Sequence, residues 1–539
     1  MNKKLIFIVS ILLTIPIVII YWGITKTFFQ QDEWLGYGLY LAKGSGMILQ
    51  STGSVLGIIL GQGRILTNLT YFVFHTYFPL NVYPIAIFSI TIHIINSFLV
   101  YILGKKLFKN EISSLIGTLF FAFNSLHLSA IAWPAAAINT LPSTTLILIA
   151  LLFYFRYIKE VKAKWMIVCF ALIYTSLFFK ETGIFLFILL PLSLIFYKGF
   201  DIKTVIKKFW YYFLPLILIV SYRLWGFRSE TGEVALFVTG TSKYFMDSLI
   251  IRSFLYPITS MSLSLFHPSY MLEFARYITN VYYPFIPEAQ FALVTQTIAL
   301  DLIAVLATAL IIVTILILMK FVSTNVKKNV LFWMLFLLAS FLPYIIISKS
   351  FSYLESRYYY LSSVAWAIIF TWVANLISEK VRPKYLQLLF LAIFLSFIYV
   401  NIILINYDLK LLVKESQTRI DILNQISLIK PKLTENRNIF YVTGDTDYYL
   451  VGNKVPFQQG FGYTLLTYYF PKSKYPADFL NNTDLFEIGK EMYYEKDEYG
   501  FGYFSNIILM EEAVKSNKIP TSNVYRFYYD SKTARMEKI

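Results

Sequence analysis

Residues 82–104, VYPIAIFSITIHIINSFLVYILG, contain no charge; KKLFKN follows at 105–110, and then a second apolar run, ISSLIGTLFFAFNSLHLSAI, at 112–131. A helix rises about 1.5 Å per residue and the hydrocarbon core of a bilayer is about 30 Å thick, so roughly 20 apolar residues cross it. Two such runs joined by a short basic link read as a transmembrane hairpin. The same pattern recurs along the chain, and candidate spans fall at about 5–24, 82–104, 112–131, 140–157, 164–180, 182–198, 209–227, 296–319, 329–348, 358–378 and 385–405. The expected fold is therefore an α-helical polytopic membrane protein with about eleven transmembrane helices.

Composition agrees. Of 539 residues, 57% are hydrophobic and only 14% are charged, where a soluble domain carries roughly 25% charge. The net charge of +16 does not indicate nucleic acid, because the Lys and Arg residues sit in short links between apolar runs. They gather on alternate connections, around Lys3-Lys4, Lys105-Lys106, Arg156 to Lys164, Lys198 to Lys208, Lys320 to Lys328, and Lys380 to Lys384. By the positive-inside rule these connections are cytoplasmic. The N-terminus is then inside, and the first apolar run, which no small-residue cleavage site follows, is a retained helix rather than a cleaved leader. The single cysteine, Cys169, excludes an internal disulfide and a thiolate metal site.

Three segments fall on the opposite, outer face. Residues 25–81 carry Asp32, Glu33 and a Gly-rich stretch ending at Arg64. Residues 228–295 carry Arg252 and His267. The tail, 406–539, is more polar. Its alternating stretches NIFYVTG and NVYRFYY read as strands, and the amphipathic run from Leu409 to Ile429 reads as a helix leading into them. The expected organisation is a membrane domain over 1–405 and an extracytoplasmic α/β domain over 406–539.

Ionisable groups close to hydrocarbon are costly and are functional candidates for that reason. The outer ends of the spans offer Asp32-Glu33, Arg64 in GQGRILTN, His127 in AFNSLHLSAIAWP, Lys180-Glu181 in SLFFKETGIF, and Lys349, Glu355 and Arg357 in ISKSFSYLESRYYYLSS. Each also has a plain reading, as a solvated pair, a helix anchor or a snorkelling side chain. His93 lies inside a span and reads as a packing hydrogen-bonder. No HExxH, Walker, Rossmann or GxSxG pattern occurs.

These stretches, in this order, resemble the C-type glycosyltransferase superfamily (GT-C), and within it the protein O-mannosyltransferase branch and its bacterial relatives. The resemblance covers about residues 1–405. It rests on the acidic pair Asp32-Glu33 after the first span, on His127 followed by Ala132-Trp133, on the Lys180-Glu181 turn, and on Glu355, Arg357, Tyr358 and Tyr360 before a late span. The chain departs from the family pattern at Ser356, inserted between Glu355 and Arg357. It also departs at Phe179 before Lys180, and at Asn124-Ser125 in place of a His-Pro pair.

The resemblance implies an inverting membrane glycosyltransferase that takes a sugar from a polyprenyl-phosphate donor to a hydroxyl of a glycan, lipid or protein acceptor. It implies Asp32 as general base and Glu33 as an orienting group. Arg357, with Lys349, Lys180 and Arg64 behind it, would hold the donor phosphate. His127, Glu181, His267, Arg252 and Glu355 would contact substrate. Some members of that superfamily require a divalent cation, Mg or Mn, and the sequence leaves the metal open. One cysteine with many Lys, Ile and Asn points to a bacterium, so the expected location is a bacterial plasma membrane, with the tail outside by the charge pattern. The alternatives that remain are a transporter or flippase of lipid-linked precursors, an O-antigen ligase or polymerase, and a non-catalytic member whose tail binds a partner.

Overall fold

A computed structural model of the protein describes residues 3–30, 32–46, 48, 64–230, 243–287, 290–291, 294–345, 354–429, 436–445, 461–470, 476–486, 490–530, 532–533 and 535–539. Its N-terminal three-quarters is a helical bundle. The helices are α1 (Lys3–Tyr21), α2 (Asp32–Lys43), α3 (Ile65–Tyr77), α4 (Tyr83–Phe108), α5 (Glu111–Ala122), α6 (Leu128–Ala132), α7 (Pro134–Glu160), α8 (Ala163–Leu177) and α9 (Leu186–Lys198). They continue as α10 (Ile202–Glu230), α11 (Lys243–Leu263), α12 (Pro268–Tyr282), α13 (Leu300–Met319), α14 (Thr324–Ala339), α15 (Ser362–Lys380) and α16 (Lys384–Ile429).

Among the described residues eight helices are long and apolar enough to cross a membrane, and nine if α5 and the segment Ser125–Ala132, bent by 48°, make one broken span. The sequence places eleven. The two that fall short are instructive. Helix α8 has 15 residues, about 22 Å of helix, less than the hydrocarbon thickness. Helix α10 begins on Lys203, Lys207 and Lys208 and is kinked at Phe209, with φ −124° and ψ 23°. The outer segment 228–295 also differs from a simple loop. It contains α11, which lies antiparallel to α13: Ser262 Oγ donates to Ala304 O at 2.8 Å, and Thr308 Oγ1 donates to Ile258 O at 2.6 Å.

Without water to drive them together, membrane helices pack through small residues and interhelical hydrogen bonds. At the α5–α15 crossing a Cβ on Gly117 would run into Ala367 O and Thr371 Oγ1, and Gly104 on α4 lies against Thr371 and Ser114. Gly117→Ala is expected to destabilise the bundle by about 1–3 kcal/mol, read as a lower unfolding midpoint in detergent. His93 serves as a packing hydrogen-bonder inside this bundle. Its Nδ1 lies 2.8 Å from Tyr360 Oη, and Nε2 lies 3.1 Å from Ala122 O.

Helix α16 has 46 residues, about 69 Å, roughly twice what the hydrocarbon needs. Its apolar first half sits in the bundle and its second half enters a small α/β unit, so the chain does not divide at 405/406 into separate elements. That unit has strands β1 (Arg437–Gly444), β2 (Tyr493–Lys496), β3 (Tyr499–Phe504), β4 (Val524–Asp530) and β5 (Arg535–Lys538). The two stretches read as strands in the sequence are β1 and β4. The sheet order is β2-β3-β1-β4-β5, with β1 parallel to β3 and β4 and with antiparallel edges. Alternation divides the strands between two faces. Phe440, Val442, Phe501 and Phe527 face Ile422, Leu423 and Ile426 of α16, with Leu465 of helix α17 (Phe461–Tyr469) and Phe479 of helix α18 (Ala477–Asn481) in the same core. Ile439, Tyr441 and Phe504 face Met510 of helix α19 (Ile507–Ser516). Phe29 and Trp34, around the start of α2, are buried in the first of these cores, so the segment after α1 is clamped between bundle and sheet.

Candidate active site

A cleft of about 700 Å³ opens where the ends of several bundle helices meet α16. Gln30, just before α2, forms one edge. Ser125, Leu128 and Trp133 come from the bent pair and the start of α7, and Glu355, Ser356 and Arg357 from the link before α15. His267 caps α12, and Asp408, Leu411, Leu412 and Glu415 come from α16.

Three of the residues named from sequence, His267, Glu355 and Arg357, stand on its wall. Arg357 Nη2 donates to Glu355 Oε2 at 2.7 Å and to Tyr358 Oη at 3.2 Å. The guanidinium lies 4.1 Å from the centroid of the Trp133 ring. A cation over an indole face is held by the ring quadrupole, so Arg357 is oriented by three contacts while its planar fork keeps other donors. The ring of Tyr358 packs against that of Tyr344, with centroids 4.6 Å apart and planes tilted by 46°. The ammonium of Lys180 lies 5.3 Å from the centroid of the Tyr358 ring.

Lys180 is buried, and its Nζ donates to Thr140 Oγ1 at 2.7 Å. Burial, with Arg64 and Arg357 nearby, lowers its pKa from the usual lysine range to about 7. Arg64 pairs with Glu181, with Nη2 and Nε at 3.1 and 3.2 Å from the same carboxylate oxygen. That carboxylate raises the Arg64 pKa and keeps it charged. The pairing is built into the backbone. Leu66 N–H donates to Phe178 O, and Thr67 Oγ1 to Phe179 O, which docks the start of α3 on the turn that carries Lys180-Glu181. Residues far apart in the chain thus form one group: three cations, Arg64, Lys180 and Arg357, around Tyr358 and Tyr344, with Glu181 and Glu355 between them.

The other sequence candidates fall elsewhere. Asp32 is the first residue of α2, two positions from Gln30 on the cleft edge; its side chain, and all of Lys349, lie outside the described residues. Glu33 makes structural contacts. It is 1% exposed, and Oε1 accepts the backbone N–H of Ala135 in the first turn of α7 at 3.0 Å, while Oε2 accepts that of Gln30 at 3.3 Å. An anion at a helix N-terminus satisfies groups that have no partner within the helix. Glu33→Ala is expected to cost about 1–3 kcal/mol, measured as a lower thermal midpoint of the purified protein.

His127 is fully buried, 2.6 Å from Ser363 Oγ and packed on Phe121 and Tyr360. It belongs to the bundle core rather than the cleft, although Ser125 and Leu128 beside it line the cleft. The sequence places the turn at a helix end but does not say which way the ring points. Arg252, on α11, lies near Tyr256, which Asp301 also influences, and is not on the cleft wall.

The sequence reading missed Asp408 and Glu415. They are seven residues apart, two helical turns, with Leu411 and Leu412 between them, so one stripe of α16 faces the cleft. The i, i+3, i+4, i+7 spacing was visible, but it also suits a plain amphipathic connector. Arg419, one turn further, is buried and feels the charge of Glu415 and of Glu33. Among the described residues no three His, Cys, Asp or Glu side chains converge as a metal site.

In comparisons with family models, with curated proteins and with solved structures, nothing matches the chain.

Proposed function

We propose that the protein is a membrane glycosyltransferase of the GT-C kind, moving a sugar from a polyprenyl-phosphate donor to an acceptor hydroxyl. The observation that carries this reading is Arg357, fixed over Trp133 on the wall of a cleft that also holds carboxylates, with buried Lys180 and the Arg64–Glu181 pair behind it. The reaction has two demands. A phosphate that leaves with the bonding electrons needs cations preorganised where its charge grows. A hydroxyl that attacks the anomeric carbon must lose its proton to a base. The cleft meets the first with a planar fork suited to phosphate, and Lys180, buried behind the lining, adds its charge from a distance.

In this reading α8 and α10 complete eleven crossings, and the cleft faces the outside of a bacterial plasma membrane together with the sheet unit. The donor's lipid lies among the helices, and Asp32, two residues after Gln30 of the cleft edge, takes the proton. Inversion follows, because the acceptor attacks opposite the leaving phosphate.

The test is bond cleavage. Full-length protein in nanodiscs, given a panel of polyprenyl-phosphate sugars with a crude envelope fraction as acceptor, releases free polyprenyl phosphate from one donor. A folded protein that releases none from any donor removes the reading and leaves transport or binding.

The Lys180 amine adds a pH signature. An anion bound at Arg357 offsets the charge that Lys180 feels and favours its ammonium, so binding takes up a proton once the free protein has lost one. Affinity for polyprenyl phosphate is expected to be highest below about pH 7 and to fall as pH rises through that value, by up to about tenfold per unit. Binding isotherms on wild type and Lys180→Met check it: the variant binds more weakly and loses the slope.

A further inference from the structure

Helix α12 divides lengthwise into three stripes, centred roughly 100–130° apart at the helical period. The first is packed. Ala275 and Thr279 are buried, and Met271 packs on the bundle core, where α12 meets α13 and the π-helical turn Val294–Ala299. The second is apolar and open: Tyr270, Phe274, Tyr277 and Val281 range from 49% to 65% exposed. The third, Ser269, Glu273, Arg276 and Asn280, is polar and exposed.

A surface helix in water has two faces, one packed and one wet. A third face, apolar and unpacked, needs a third surrounding. The aromatic side chains of Tyr270, Phe274, Tyr277, Tyr282, Tyr283 and Phe285 all stand exposed along this helix and just beyond it, a patch that water-bathed surfaces keep small. Membrane proteins place such rings where hydrocarbon meets water. Helix α13 supplies continuity: it is long and apolar enough to cross a membrane, and it exposes Leu302, Leu306 and Leu310. Because the stripes run the length of α12, the border between apolar and polar surroundings runs parallel to its axis. An upright helix would meet that border across its length, with one end apolar and the other polar.

We infer that α12 lies flat in the boundary between lipid headgroups and acyl chains, with Tyr270, Phe274, Tyr277 and Val281 in lipid, and that it sets the level of the cleft in one leaflet. Helices of this kind sink their apolar face about 5–10 Å into the boundary. The partner is a lipid surface of any charge, because the polar stripe carries one acid and one base, Glu273 and Arg276. His267 and Pro268, the cap and first residue of α12, belong to the cleft wall, so that part of the wall stands at headgroup level. An amphiphile with a polar head and a tail in the bilayer then reaches the cleft without leaving its leaflet. The placement of α12 holds with or without glycosyl transfer.

The experiment uses full-length protein in nanodiscs of phosphatidylcholine, alone or with one part in about three of phosphatidylglycerol as the anionic lipid. Nitroxide labels are placed singly at Tyr270→Cys and Val281→Cys on the apolar stripe and at Glu273→Cys and Asn280→Cys on the polar one. All four sites are exposed, so the fold should bear them, and Cys169, the chain's one thiol, is buried and does not compete for the label. Spin relaxation is read with oxygen, which concentrates in lipid, and with a water-soluble nickel chelate. Labels at 270 and 281 are expected to meet oxygen and little nickel, at equal depth and equally in both lipid mixtures. Labels at 273 and 280 should meet nickel freely. The placement is overturned if the apolar stripe meets nickel as freely as the polar one, which puts α12 in water. It is overturned equally if that stripe is sheltered from both reagents, which means that protein covers it. The two ends of the stripe are about 16 Å apart along the axis, and a depth difference of that size means an upright helix and also overturns it. No donor or acceptor enters the measurement, so a failure of the glycosyl-transfer reading leaves its result untouched.

Discussion

Arg357→Gln is expected to lower turnover of the polyprenyl-phosphate donor by about a hundred- to a thousandfold, the cost of removing one preorganised donor from a site where charge grows. The expectation is specific to the fork. Arg357→Lys keeps the charge, but an ammonium does not stack flat on Trp133 or give two parallel donors to a phosphate, so it should recover little. Arg357 also bonds Glu355 and Tyr358, so a structural loss must be separated from a chemical one. The unfolding midpoint does this: a variant that unfolds as the wild type does but turns over slowly has lost transition-state stabilisation. If kcat holds while the donor KM rises, Arg357 binds donor and transition state equally, and the growing charge is met elsewhere, with Lys180 next.

Asp32→Asn is the second. The amide cannot accept the proton of the attacking hydroxyl, and loss of a general base costs about a hundred- to ten-thousandfold. The substitution is nearly isosteric at the first position of α2, where a carboxylate is otherwise worth a few tenths of a kcal/mol to about 1 kcal/mol against the helix dipole, so the fold should survive. The measurement is release of polyprenyl phosphate under single-turnover conditions. Near-wild-type release from the purified variant removes Asp32 as base. Glu33→Ala offers the contrast. Its main effect should be on stability, because its carboxylate is spent on the backbone of α7 and of Gln30.

What the sequence made legible follows from the kind of signal each residue carries. Charge inside an apolar run is conspicuous, and Arg64, Lys180, Glu181, Glu355 and Arg357, chosen on that ground, are brought together in space. The strands at 438–444 and 523–529 were legible because alternation there is strong. Histidine is a weaker signal. His127 and His267 both sit near helix ends, yet one ring turns into the core and the other toward the cleft, and only tertiary packing decides that. Asp408 and Glu415 were missed for the opposite reason to Lys180: on an amphipathic helix a carboxylate is ordinary. Glu33 was chosen for its charge, and the structure assigns it to the N-terminus of α7, 102 residues away. Helix count was the least legible quantity, since α8 and α10 are apolar in part but short or interrupted.

The unbroken course of α16 has one more consequence. Asp408 and Ile426 stand about 27 Å apart along the same uninterrupted helix, the first in the cleft wall and the second in the core beneath the sheet. Gln425 of the same helix accepts the backbone N–H of Met536 at 2.7 Å, which ties its far end to strand β5. Such a rod is a lever without a joint. A tilt of the sheet therefore carries the cleft-facing stretch of α16 with it.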